Sequence, residues 1–275
     1  MRKLKGRLIL AEHNVKYAAM KLAAKMGFKR YKNMIEGPSN RMTNDTMSQR
    51  FIRYYVKPEE KAVRDWMASG EGKSYLDVGA GQGRYSKMAM KSGASGITAV
   101  DIDEKCIEKL NEKEGVSATL MDAREMEFED STFDRVIMFG NTLANICEST
   151  HGREKSFAVE VLREMIRVAK EEVALTFQRP ESFRTLLQYY RMNGIKIYDY
   201  DFEKGIKRGT MIDDDGRVYE FRSQHFRRED IEKLLKKAGV SEAQYEIKPI
   251  NRMNWMVIIK KYQPLYHFSI DRNPL

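Results

Sequence analysis

The chain has 275 residues, 42% of them hydrophobic and 32% charged, with 49 Lys and Arg against 40 Asp and Glu for a net charge of +9. The apolar fraction supports a sizeable core and excludes a disordered chain. Two cysteines, Cys106 and Cys147, exclude a disulfide scaffold, fit a reducing compartment and form no metal-ligand pattern. The basic excess favours RNA, an anionic membrane surface or acidic partners without choosing among them, because charges of both signs are interspersed. No apolar run approaches a membrane span, and the apolar run after Arg7 is too short for a signal peptide, so a cytoplasmic protein is expected.

Residues 1–36 carry ten Lys and Arg against two acids, Glu12 and Glu36. Leu8, Val15, Ala18, Ala19, Leu22 and Met26 recur at helical spacing, and Gly27 is a stop. This reads as a basic helix packed on the main domain through that stripe, with its lysines in water; contact with anionic lipid or RNA is the alternative. After the break at Glu36-Gly-Pro-Ser-Asn, residues 44–56 read as a short helix, and Pro58 opens another that runs through Trp66 and Met67.

Ser74 to Arg84 reads SYLDVGAGQGR: a short apolar strand interrupted by Asp77, three alternating glycines (Gly79, Gly81, Gly83), then a helix. A strand turning through small residues into a helix is a nucleotide-binding turn. The dinucleotide fingerprint G-x-G-x-x-G is not met, because Arg84 stands where its third glycine would be. Asp77, inside the strand, suits an amine-bearing or cationic ligand better than a pyrophosphate. A second strand, Gly96–Asp101, ends in an acid 22 residues after Gly79, near the spacing at which a carboxylate meets ribose hydroxyls. A helix over 104–114 follows, then a third strand from Val116 leading to Asp122-Ala123, and a fourth from Phe133 leading to Gly140-Asn141-Thr142. Carboxyl ends of parallel strands are where ligands sit, so Asn141, Thr142 and Asn145 point toward chemistry.

Residues 153–169 read as an amphipathic helix and 172–178 as a fifth strand. Residues 181–226 form an insertion: a helix over 182–192, an extended stretch over 195–200, and a hairpin turning at Asp213-Asp-Asp-Gly, which is a turn rather than a metal cluster. A helix from Phe226 stops at Gly239, and strands over 244–249 and 255–261 follow.

The order glycine loop, Asp101, Asp122, then Asp134-Arg-Val-Ile-Met resembles the class I S-adenosylmethionine (SAM) methyltransferases from about Tyr75 to Arg179. The resemblance implies a doubly wound, mostly parallel seven-stranded α/β sheet with an antiparallel last strand and helices on both faces. Residues 1–73 would be a helical extension or lid, and 74–275 the SAM-binding domain with its lid-like insertion. It implies that Asp77, Gly79, Ala80, Gly81 and Gly83 form the methionine pocket and that Arg84 reaches the SAM carboxylate. Asp101 would hold the ribose, Ile102 would pack on the adenine face, and Asp122 with Ala123 would meet the adenine. Gly140 and Asn141 would meet the methionine amine or the acceptor. Arg50, Arg53, Tyr54 and Tyr55 are lid candidates, and Tyr55, Asn141 and His151, with His225, are candidates for orienting the acceptor or taking its proton. Gly140-Asn-Thr-Leu is similar to small-molecule N-methyltransferases, so an amine of a small molecule is the expected acceptor; RNA, protein or a lipid headgroup stays open. No metal is expected.

Overall fold

A computed structural model of the protein describes residues 2–27, 52–112, 115–150, 153–192, 194–212 and 217–261. The first half holds helix α1 (Arg2–Lys25), a π-helical turn (Ile52–Val56) running into α2 (Lys57–Met67), β1 (Ser74–Val78), α3 (Arg84–Lys91), β2 (Gly96–Asp101), α4 (Glu104–Asn111), β3 (Val116–Leu120) and β4 (Phe133–Met138). The second holds β5 (Cys147–Thr150), β6 (Arg153–Ser156), α5 (Ala158–Val168), β7 (Ala169–Gln178), α6 (Phe183–Met192), β8 (Lys196–Asp201), β9 (Ile206–Ile212), β10 (Val218–Gln224), α7 (Arg228–Ala238), β11 (Tyr245–Pro249) and β12 (Asn254–Lys260).

Seven strands pair in the order β11-β12-β7-β4-β1-β2-β3. β1, β2, β3, β4 and β7 are parallel. β12 runs antiparallel to β7, and β11 antiparallel to β12. The chain winds outward from β1 through β2 to β3, then returns to β4 on the other side of β1. This is the doubly wound sheet the sequence led us to expect, with its switch point between β1 and β4.

Parallel strands covered on both faces need near-continuous apolar runs, and Val136–Met138 and Val173–Phe177 supply them, all buried. Alternate side chains go to opposite faces. Leu76, Val78, Val136 and Met138 pack with Val161, Leu162 and Met165 of α5 and Ile231, Leu234 and Leu235 of α7. Tyr75 and Ile137 pack with Val63 and Met67 of α2 and Tyr85 and Ala89 of α3. A second apolar cluster joins Tyr55 and Val56 to Phe183, Leu186, Leu187, Tyr190, Ile197 and Tyr200 of the insertion. The insertion itself is α6 with a three-stranded antiparallel sheet, β10-β9-β8. The hairpin turn at 213–216 lies outside the described residues.

Two expectations are corrected. The helix read as starting at Arg153 starts at Ala158, because residues 153–156 pair antiparallel with 147–150 and their backbone groups are satisfied there. The stripe of α1 read as packing inward faces outward: Leu8, Val15, Leu22 and Met26 are exposed. The other side of the helix docks. Ile9 and Leu10 pack into the second cluster, His13 and Ala24 are buried, and the Tyr17 hydroxyl donates to Gly194 O at 3.1 Å. The His13 Nε2 accepts from the Ile197 amide at 3.4 Å. The helix carries two apolar faces, and the one able to hydrogen-bond the insertion is the one that packs.

Candidate functional site

β1 ends in a loop pinned to the neighbouring strand. The Gly79 and Ala80 amides both donate to Val100 O, at 2.8 and 3.1 Å. Gly79, Gly81 and Gly83 all have positive φ (67°, 54° and 72°), which residues with a Cβ adopt only with strain. Their surroundings differ. A Cβ on Gly79 would lie 2.6 Å from Thr142 Cγ2, whereas one on Gly81 would meet nothing within 4 Å. Gly81 therefore borders open space. Gly83 is the N-cap of α3.

Adjacent strands bring three acids to one edge of the sheet. Asp77 is buried in β1, and its Oδ2 accepts from Ser86 Oγ of α3 at 2.6 Å. Asp101 closes β2; its Oδ2 accepts from the Gly81 amide at 2.7 Å and its Oδ1 from the Asp103 amide at 3.0 Å. The ribose candidate thus also fixes the glycine loop. Ile102, beside it, is 74% exposed, unusual for a large aliphatic side chain flanked by a strand end. Asp122 lies two residues past β3, next to Ala123. Its Oδ2 accepts from Arg124 Nε and a guanidinium NH2 (2.8 and 2.6 Å), and its Oδ1 from the Arg124 amide. Arg124 holds this carboxyl below its ordinary range, chiefly through those side-chain bonds.

On the other side of the switch point, β4 and β7 end in a buried polar assembly. Glu59 of α2 is at its centre. Its Oε1 accepts from Tyr85 Oη (2.8 Å), Thr176 Oγ1 (2.9 Å) and the Gly140 amide (3.1 Å), and its Oε2 from Asn254 Nδ2 (2.7 Å). Asn141, left-handed at φ 64° and buried, accepts at Oδ1 from the Gln178 amide (2.8 Å). Its Nδ2 donates toward Ser223 Oγ and Gln224 O of β10, both at 3.4 Å. Gln178 Nε2 donates to the Tyr55 hydroxyl (2.6 Å), and Gln178 Oε1 accepts from Lys207 Nζ (2.9 Å). Lys207 Nζ lies 3.2 Å from His225 Nε2, and His225 Nδ1 lies 2.9 Å from the Tyr200 hydroxyl. Burial pushes the Lys207 amine down to about 7. Burial, then the neighbouring Lys207, holds His225 well below the ordinary imidazole range. Burial and the Glu59 carboxylate push the Tyr55 phenol well up.

Tyr55, Asn141 and His225 therefore meet in one network. Other candidates stand apart. Arg84 donates to Glu60 Oε1 at 2.8 and 3.1 Å and lies over the Tyr85 ring. Arg53 and Tyr54 are exposed and stack on each other. Thr142 Oγ1 donates to Phe139 O at 2.8 Å, and Asn145 is exposed. Arg50 and His151 lie outside the described residues. Sequence reasoning missed Glu59, Gln178 and Lys207. Glu59 follows Pro58 and reads as an ordinary first-turn acid complementing the helix dipole. Gln178 could have been found as the polar end of an apolar strand; Lys207 carries no local signal. Among the described residues no group of His, Cys, Asp or Glu is placed to hold a metal.

Residues 76–172 match the family model described as a methyltransferase domain. A search of curated proteins gives no match. Among solved structures, the chain is similar to the PH0226 protein of Pyrococcus horikoshii, with a TM-score of 0.59 and 20% identity over 79% of this chain and 94% of that one. It is similar to the CcbJ methyltransferase of Streptomyces caelestis (TM-score 0.55, 13% identity, 74% and 90% covered). A SAM-dependent methyltransferase of Clostridium acetobutylicum gives a TM-score of 0.53 at 14% identity, with 74% and 91% covered. At such identities these likenesses speak for the fold. Together with the match of residues 76–172 to the methyltransferase-domain family, which takes in the glycine loop and the strands after it, they support a class I, Rossmann-like SAM-dependent methyltransferase.

Proposed function

We propose that the chain transfers the methyl group of SAM to an amine nitrogen of a small molecule. The observation that carries this reading is the latch between Asn141 and β10. It sets the insertion over the ends of β4 and β7, where an acceptor would sit. A roofed strand edge suits a compact acceptor better than a polymer. The α2 side is closed by Glu59, and the insertion side by Lys207 and His225, with Lys207 joining them to Gln178 of β7.

The residues present fit the cofactor. Open space beside Gly81 and the exposed face of Ile102 are what a bound nucleoside would cover. Asp77 and the Gly79–Gly83 loop, with Ala80, would hold the methionine part and Asp101 the ribose hydroxyls. Ile102, Asp122 and Ala123 would hold the adenine, with Gly140 at the methionine amine. Arg84, paired with Glu60, would reach the cofactor carboxylate only by leaving that partner. SAM, when bound, supplies an electrophilic methyl on a sulfonium whose departure leaves a neutral thioether. The chain's own task is then to position a nitrogen with a free lone pair in line, which can contribute several kcal/mol. Asn141 and Tyr55 would orient the acceptor. Burial lowers the Lys207 amine to about 7, which weakens its repulsion of a nearby sulfonium without abolishing it.

The test is incubation of the protein and radiolabelled SAM with cell extract, sorting the label by product size. Label in the small-molecule fraction, on nitrogen, is expected. Label confined to RNA, protein or lipid would refute the acceptor assignment.

A further inference from the structure

The outward face of α1 touches none of the site residues described above, yet it is patterned. Leu8, Val15 and Leu22 follow one another at intervals of seven residues, and Met26 comes one turn later. At about 100° per residue, seven residues drift by only about 20°, so the four side chains form one line along the helix. They are between 60% and 70% exposed. Ala11, Ala18 and Ala19, also exposed, fill the line between them. The same rotation sets Arg7, Lys21 and Lys25 along one border of the line and Lys16 along the other.

The surroundings continue the pattern. α1 carries seven Lys and Arg and one acid, Glu12, which is paired to Lys16 and approached by Arg184 of α6 at 3.9 Å. A cleft of about 420 Å³ along one side of the helix is lined by Lys16, Arg184 and Arg191 with the single acid Glu12. A cleft of about 820 Å³ along the other is lined by Lys21 and Lys196. An apolar ridge thus lies between two cationic borders supplied by the helix and by the insertion on which it is docked.

We propose that this face of α1 is a docking surface for an anionic lipid bilayer. The occupant follows from complementarity. Acyl chains take the Leu8–Met26 line while the long basic side chains reach the headgroups. A second copy of the chain would set Arg7, Lys16, Lys21 and Lys25 of one helix against the same cations of another. RNA would use the cations and leave the apolar line uncovered. α1 lies flat in such a contact, since among the described residues no helix is long and apolar enough to cross a membrane. The inference is independent of the acceptor.

The test uses the full chain and two kinds of vesicle, phosphatidylcholine alone and phosphatidylcholine mixed with phosphatidylglycerol. Co-sedimentation with the mixed vesicles is expected, at least about tenfold stronger than with phosphatidylcholine alone and weakening with added salt. The triple variant Leu8→Gln, Val15→Gln, Leu22→Gln should lose about tenfold or more of that binding, while its thermal unfolding and SAM affinity stay those of the wild type. Equal binding to both vesicle types, or undiminished binding by the triple variant, would overturn the proposal. So would a wild-type dimer that the triple variant dissolves, or RNA binding that survives in the variant while vesicles are ignored.

Discussion

The Glu59 carboxylate on α2 accepts from the Gly140 amide at the end of β4, 3.1 Å away. The same oxygen takes donors from Tyr85 of α3 and Thr176 of β7, and the other takes Asn254 of β12. One buried acid therefore ties a helix preceding the sheet to three strand ends and the helix after the glycine loop. Glu59→Met keeps the bulk but removes the acceptor from Tyr85, Thr176 and Asn254, which stay buried. We expect a loss of about 3 kcal/mol or more in stability, read by urea unfolding, with SAM affinity reduced in parallel. A variant as stable as the wild type would show that the four bonds are not what holds α2.

Asp101→Ala should weaken SAM binding at least about tenfold, because the loss removes an acceptor worth roughly 1.5–3 kcal/mol and frees the Gly81 amide it holds. The fold should persist, since Asp101 is only half-buried at a strand end. Calorimetric titration with SAM, alongside thermal unfolding, separates the two effects. Unchanged affinity would mean the ribose contact is misplaced.

The two glycines of the loop should respond differently. Gly79→Ala drives a Cβ to 2.6 Å from Thr142 Cγ2 and strains a positive φ, so stability should fall by about 2 kcal/mol or more. Gly81→Ala meets no protein atom. It should lose only the backbone term, about 1–2 kcal/mol, yet lose most SAM affinity, because its methyl enters the space assigned to the ligand. Equal affinities in the two variants would remove the ligand from beside Gly81.

Lys207 gives a pH signature. Its amine titrates near 7 in the folded chain against an ordinary 10.5. Between those values the unfolded chain holds a proton that the folded chain does not. Stability should therefore rise with pH across that window, by up to about 1.4 kcal/mol per unit, and fall as pH drops toward 7. Lys207→Met should flatten this rise. Unfolding curves collected across the window for both proteins test it, and parallel slopes would count against a neutral buried amine.

The strand ends proposed to hold the cofactor could be read from the sequence because the pattern is local. The turn at Gly79–Gly83, Asp101 ending its strand and Asp122 past the next are fixed by spacing along a few dozen residues, and parallel pairing then aligns them. The polar network proposed for the acceptor side is not local. Gln178 meets Lys207 and Tyr55 only because β9 of the insertion and the turn before α2 converge on the end of β7. A lysine in an alternating strand looks solvated until the other layer is known. The face of α1 was misread for a related reason. Periodicity reveals an apolar stripe but not its direction, and Ile9, Leu10, His13 and Tyr17 form a second one that a search for aliphatic repeats passes over.

β12 is threaded between β11 and β7, in the interior of the sheet. During synthesis, then, this flank of the parallel strands is covered only after all of them have been made. Until residues 254–260 leave the ribosome, the flank of β7 stands bare, and a bare flank invites pairing with a neighbouring nascent chain. Asn254, the fourth donor to Glu59, arrives with the same segment. The cofactor pocket of a ribosome-bound chain would thus stay loose until that strand docks, and a stall just upstream would leave an aggregation-prone intermediate instead of a partly active enzyme.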